Sequence, residues 1–124
     1  MTLFKTGYFT LHSGSKSYWK IDCDALTDND WRTLAQMVYE RVGHFRRVIG
    51  VPQGGLKLAL ALRHLCFPNP EYPTLLVDDV LTTGASMEKL RETTAGACIG
   101  AVVFARGACP DWIIPIFTVS REVS

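Results

Sequence analysis

Apolar positions in this chain follow two rhythms. Short uninterrupted runs with branched side chains occur at Val48-Ile49-Gly50-Val51, Leu75-Leu76-Val77, Ile99-Gly100-Ala101-Val102-Val103-Phe104 and Ile113-Ile114-Pro115-Ile116-Phe117-Thr118-Val119. Runs of this length and composition predict buried strands. Between them the spacing turns helical. Trp31, Leu34, Ala35, Val38 and Val42 recur on one face of a 31–42 segment, with capping residues at Thr27-Asp28-Asn29-Asp30 and a stop at Gly43. Such a stripe predicts a core-facing helix. Residues 56–65 predict a second, apolar helix, and Met87-Glu88-Lys89-Leu90-Arg91 starts a third with strong helix formers. Ahead of all these, residues 7–22 alternate aromatic and polar residues around a Ser/Gly turn, which predicts a hairpin. Strands that are apolar on both sides and separated by helices predict an α/β fold: a mostly parallel sheet flanked by helices.

Size and charge narrow the picture. The 124 residues suit one domain, with a hairpin segment over 1–26 and an α/β core over 27–124. Hydrophobic residues make up 48% and charged residues 20%, with a formal net charge of +1. That balance carries neither the basic footprint of a nucleic-acid binder nor that of a membrane-surface protein. No apolar run is long enough to cross a bilayer, and Met1-Thr2-Leu3-Phe4-Lys5 is not built like a signal peptide, so a cytoplasmic protein is expected. Cys23, Cys66, Cys98 and Cys109 are scattered, without metal-ligand spacing, and are expected to be reduced thiols.

The chemistry concentrates at the second of the apolar strand runs. In Thr74-Leu75-Leu76-Val77-Asp78-Asp79-Val80-Leu81-Thr82-Thr83-Gly84-Ala85-Ser86, an apolar run meets two carboxylates, then a hydroxyl-rich turn, then a helix. The first amides of a helix lack intrahelical partners and lie at the positive end of its dipole, so they suit a phosphate, and a glycine lets the backbone approach it. Carboxylates disfavour phosphate but accept hydrogen bonds from sugar hydroxyls. A phosphate beside a diol describes a ribose 5-phosphate site. The plain alternative is a strand–loop–helix in which Asp78 or Asp79 only caps the helix. A second Gly-rich turn, Val51-Pro52-Gln53-Gly54-Gly55, follows the preceding strand, and its amides can face one concavity and hold an anion. Neither turn spells the Gly-x-Gly-x-x-Gly of a dinucleotide-binding fold.

The acid pair followed by Thr-Thr-Gly closely resembles the phosphoribosyl-diphosphate (PRPP) loop of the type I phosphoribosyltransferases. The Gly54-Gly55 turn resembles their diphosphate loop, which often carries a strained or cis peptide. The hairpin resembles the hood of the orotate branch. This resemblance runs from the hairpin to the last strand and implies transfer of ribose 5-phosphate from PRPP to a base, an orotate-like pyrimidine being favoured, with release of diphosphate. It implies catalytic roles for Asp78 and Asp79 on the ribose hydroxyls, 5-phosphate binding by Thr82, Thr83, Gly84, Ala85 and Ser86, and diphosphate binding by Val51, Pro52, Gln53, Gly54 and Gly55. It places Arg106, His12 and Thr82 against the base, although Arg106 also reads as an ordinary solvated strand-end cation. Magnesium would travel with the diphosphate, and a homodimer is expected. One stretch departs from the family pattern. Where orotate enzymes carry a long basic mobile loop, residues 66–73 are short, proline-rich and without Lys or Arg. That departure keeps open a second reading, a degenerate family member that binds PRPP or a nucleotide as a sensor or accessory protein.

Overall fold

The computed structural model describes residues 3–10 and 16–119, with side chains described for Leu3 and for residues 21–119. The hairpin is present: β1 (Phe4–Thr10) and β2 (Lys16–Ile21) pair antiparallel, with a register shift between Thr6 and Phe9. A 3-10 turn, Cys23–Ala25, follows, held by Asp22, whose Oδ1 accepts the Asp24 amide at 3.1 Å. Helix α1 (Asp28–Val42) opens with a reciprocal cap. Thr27 Oγ1 accepts from Asp30 N–H at 3.1 Å, and Asp30 Oδ2 accepts from Thr27 N–H at 2.8 Å. The Thr27 backbone amide first, then the Thr27 side chain, hold the Asp30 carboxyl below its ordinary value.

The core sheet is β3 (Arg47–Gly50), β4 (Thr74–Leu81), β5 (Cys98–Arg106) and β6 (Ile113–Val119), four parallel strands lying in that order. Helix α2 (Leu56–Leu62) joins β3 to β4 and α3 (Ala85–Thr93) joins β4 to β5. The predicted second helix is shorter than expected, because residues 63–65 tighten into a 3-10 turn.

Alternation along the strands separates two cores. Leu75, Val77, Ala101 and Val103 pack with Trp31, Leu34 and Val38 of α1 and Leu58 and Leu62 of α2. Leu76, Val102, Ala105 and Ile113 pack with Met87 of α3 on the opposite face. Each such side chain taken from water contributes about 1.5–3 kcal/mol. Consecutive strands lie side by side, yet α2 and α3 cover opposite faces, so the two crossovers have opposite hands. The β5–β6 crossover has no helix; residues 107–112 run back along the α3 face, where Trp112 and Cys109 join the core. It therefore shares the hand of the α3 crossover, and β3–α2–β4 is the exception to the usual uniform hand.

Trp112 fastens this connector. Its Nε1 donates to Glu88 Oε1 at 2.7 Å, and the Arg91 guanidinium lies 4.7 Å from the ring centroid. Gly100 makes room beneath it, since a Cβ there would lie 2.8 Å from Trp112 Cζ3.

Residues 66–73 lie at the amino ends of the strands. Phe67 N–H donates to Phe45 O at 2.8 Å and Arg46 N–H to Pro73 O at 2.8 Å, while His44 sits among Tyr39, Phe67 and Tyr72. The segment is thus tied to the sheet edge opposite the Gly-rich turns. Among the described residues, no helix is long and apolar enough to cross a membrane, and Cys23, Cys66, Cys98 and Cys109 are free thiols.

Candidate functional site

A cavity of about 680 Å³ opens at the carboxyl edge of the sheet, where parallel α/β sheets gather their ligands. Its walls come from four places in the chain. The β3–α2 corner supplies Gln53, Gly54 and Lys57; the end of β4 and the start of α3 supply residues 78–87; β5 supplies Arg106. The fourth wall is Ile21, Asp22, Cys23, Asp24 and, from α1, Trp31.

The two acids sit within β4 rather than beyond its end, and the strand persists to Leu81. They are held locally. Asp78 Oδ1 accepts from Asp79 N–H at 2.8 Å and Asp79 Oδ1 accepts from Val80 N–H at 2.7 Å. The strand's alternation slips here: Val80 packs with the α1–α2 core and Leu81 with the α3 core. Asp78 is buried, 9% exposed. Burial first, then the hydrogen bond and negative charge of Asp79, push its carboxyl up to about 8, against the Asp79 amide, which lowers it. Asp78 therefore holds its proton more readily than an ordinary carboxylate does.

Beyond Leu81 the chain turns through residues 82–84, and Gly84 takes φ 84°, ψ 0° as the residue before α3. That left-handed conformation is the one glycine adopts without cost. Ala85 N–H donates to Thr83 Oγ1 at 3.3 Å, and Glu88 N–H is the first to return to a backbone carbonyl, Gly84 O at 3.0 Å. Among the described residues no protein carbonyl takes the amides of Gly84, Ser86 or Met87. These donors, the helix dipole and the hydroxyls of Thr82, Thr83 and Ser86 make a donor-lined recess of the kind that suits an anion, bordering the same cavity as the acid pair.

The second turn is divided. The Pro52–Gln53 peptide is cis. Gln53 and Gly54 line the cavity, but Val51, Pro52 and Gly55 do not. Val51 is buried in the α3-side core and donates its amide to Val77 O at 2.8 Å. Gly55 N–H is committed to Val51 O at 2.8 Å and Leu56 N–H to Gln53 O at 3.1 Å. Of these five residues, Gln53 and Gly54 border the cavity, while the Val51 and Gly55 amides are taken by backbone carbonyls of β4 and of the turn itself. Gly55 is small because a Cβ would lie 2.6 Å from Val51 N; Gly54 is small because a Cβ would lie 2.7 Å from the Asp79 carboxylate.

Arg106, half-buried, lines the cavity. His12 lies outside the described residues. Sequence reasoning missed the fourth wall and Lys57. Trp31, assigned to the core alone, is buried at 4% exposure and also borders the cavity. The signal for Asp22–Asp24 was two acids just after a strand; for Lys57, a cation one turn past Gly-Gly. Lys57 Nζ lies 3.9 Å from Asp24 Oδ1, with both side chains largely exposed, a contact of little energy. Among the described residues no group of three or more His, Cys, Asp or Glu side chains is arranged to hold a metal ion.

At the level of sequence, no protein-family model and no curated protein matches this chain. Solved structures do. Orotate phosphoribosyltransferase from Aeropyrum pernix superposes with a TM-score of 0.72 at 23% identity, over 94% of this chain and 88% of that one. The chain has a type I phosphoribosyltransferase fold. Orotate phosphoribosyltransferase from Mycobacterium tuberculosis shares this fold at a TM-score of 0.67 and 17% identity, over 94% and 89% of the two chains. A phosphoribosyltransferase from Corynebacterium diphtheriae shares it at a TM-score of 0.65 and 18% identity, over 83% and 84%.

Proposed function

We propose that the protein is a phosphoribosyltransferase that moves ribose 5-phosphate from PRPP to a nitrogenous base, an orotate-like pyrimidine being favoured, and releases diphosphate. The observation that carries this reading is the pairing, across one cavity, of the open amides before α3 with the two carboxylates of β4. In this scheme Thr82, Thr83, Gly84, Ala85 and Ser86 hold the 5-phosphate. Asp79, with Asp78 beside it, accepts hydrogen bonds from the ribose hydroxyls. Its charge also stabilises the cationic sugar as the bond to diphosphate breaks and the bond to the base nitrogen forms. Gln53 and Gly54 receive the diphosphate. Arg106 offers a planar, two-pronged donor to an acidic base.

Magnesium suits this donor set as a passenger of the substrate, because the described residues offer no three-ligand cluster of their own and a hard ion keeps waters and phosphate oxygens. When bound it would neutralise diphosphate charge. The free thiols suit a reducing compartment such as the cytoplasm, and a homodimer is part of the same reading. The test is incubation with PRPP, magnesium and a panel of pyrimidine and purine bases, with diphosphate release measured. Release with one base and not others fixes the acceptor. PRPP binding without release, whatever base is added, overturns the transferase.

One observation favours the alternative, a PRPP- or nucleotide-binding accessory protein. Residues 66–73 are fastened at the far edge of the sheet, and the described cavity walls include only two cations, Lys57 and Arg106, beside the four acids Asp22, Asp24, Asp78 and Asp79.

A further inference from the structure

Diphosphate brings more negative charge to the cavity than a 5-phosphate does, yet Gln53 and Gly54, assigned to it above, are neutral. Residues 66–73 hold no Lys or Arg and lie at the other edge of the sheet. Among the described residues that line the cavity, the cations are Lys57 and Arg106. The strand order separates these two. β4, with its acid pair, lies between β3 and β5, so the β3–α2 corner and the end of β5 fall on opposite sides of it. Lys57, the second residue of α2, shares its side with Gln53 and Gly54; Arg106 ends β5 on the other. The Lys57 ammonium is held loosely. Nζ lies 3.9 Å from Asp24 Oδ1, and the two side chains are 59% and 80% exposed. An exposed pair of this kind holds little energy, so its partners exchange readily. A lysine carries its charge on a flexible stem with three rotatable donors, and a diphosphate offers it more charge and more oxygens than one carboxylate.

We propose that Lys57 is the cation of the diphosphate side: its ammonium leaves Asp24 for the diphosphate oxygens when PRPP enters, and returns when diphosphate departs. The proposal rests on the assignment of the β3–α2 corner to diphosphate. It supplies from a helix the positive charge that the 66–73 segment lacks, placed where negative charge grows on the leaving group. Asp24 is the site where that charge waits between turnovers.

The test is calorimetry with inorganic diphosphate plus magnesium and, separately, with ribose 5-phosphate. Lys57→Met keeps an apolar stem and removes the charge at an exposed position, where the fold tolerates it. It binds diphosphate about tenfold more weakly than the parent, the loss of one charge-assisted hydrogen bond, while ribose 5-phosphate binds as in the parent. Loss of Lys57 also uncovers Asp24, whose charge repels diphosphate whether or not Lys57 touches it. Combining Lys57→Met with Asp24→Asn separates the two causes. The double variant stays about tenfold weaker than the parent if Lys57 holds diphosphate, and returns to the parent's affinity if Lys57 only masks Asp24. That recovery, unchanged diphosphate binding in Lys57→Met, or equal weakening toward ribose 5-phosphate overturns the proposal. So does a parent that binds ribose 5-phosphate but not diphosphate. A parent that binds neither removes the transferase reading as well.

Discussion

Asp79 and Asp78 are adjacent in sequence and differ in surroundings. Asp79 touches the cavity, Gly54 and the Val80 amide, so its charge is available to a ligand. Asp79→Asn is expected to weaken PRPP binding by about tenfold or more while leaving the melting temperature near the parent's, with calorimetry and thermal unfolding as the measurements. Asp78 is the buried partner, with its carboxyl pushed up to about 8. An acid whose folded value is raised keeps its proton in the fold, whereas the unfolded chain releases it above about 4. This group therefore contributes stability at low pH that is lost progressively as pH rises from about 4 to about 8, after which the loss levels off. Denaturant unfolding at about pH 5 and about pH 8.5, on either side of most of that window, checks this. The parent is expected to lose stability between the two, and Asp78→Asn to lose less. A fall of equal size in both proteins removes Asp78 as the cause. Both acids were visible in the sequence as a pair. Their unequal burial was not, because it depends on a strand continuing through them.

Among elements, the turn before α3 and the cap before α1 separate binding from stability. Gly84 has open space around it: a Cβ there would meet only Leu81 Cδ1, at 3.7 Å, so Gly84→Ala acts through its positive φ alone. It is expected to cost about 1–2 kcal/mol of stability and, by moving the amides of the cradle, to weaken phosphate binding. Thr27→Ala removes half of a capping box and is expected to cost about 1 kcal/mol while phosphate binding stays unchanged. Chemical denaturation paired with phosphate titration separates the two, and a Gly84→Ala protein that binds phosphate normally would remove the cradle from α3. The helices, the hairpin and all four core strands were legible because period and punctuation agree in each: Thr27 to Gly43 for α1, the Ser/Gly turn for the hairpin, Gly84 for α3. Two features were not. The β5–β6 connection crosses without a helix, held by Trp112 on Glu88. The reversed hand of the α2 crossover depends on which face α1 already occupies. Neither leaves a local pattern in the sequence.

For the whole molecule, the candidate site lies at one edge of the sheet. The carboxyl ends of β3, β4 and β5 carry the site residues that border the cavity from the sheet, and the fourth wall comes from the hairpin's end and α1. The amino ends carry the aromatic group around His44 and the short 66–73 segment. The shortness of this segment was legible in the sequence; only the fold shows which edge it occupies. None of residues 66–73 borders the cavity, so under the proposed function this segment does not shield bound PRPP from solvent. Water then competes with the base as the acceptor of the sugar. The expected result is slow, base-independent hydrolysis of PRPP to ribose 5-phosphate, measurable by following that product with magnesium present and no base added. A rate no higher than in buffer alone would show that the reacting carbon is kept dry by other means. Under the proposed transfer, with a base present, the fraction of sugar lost to solvent measures how much shielding residues other than 66–73 supply.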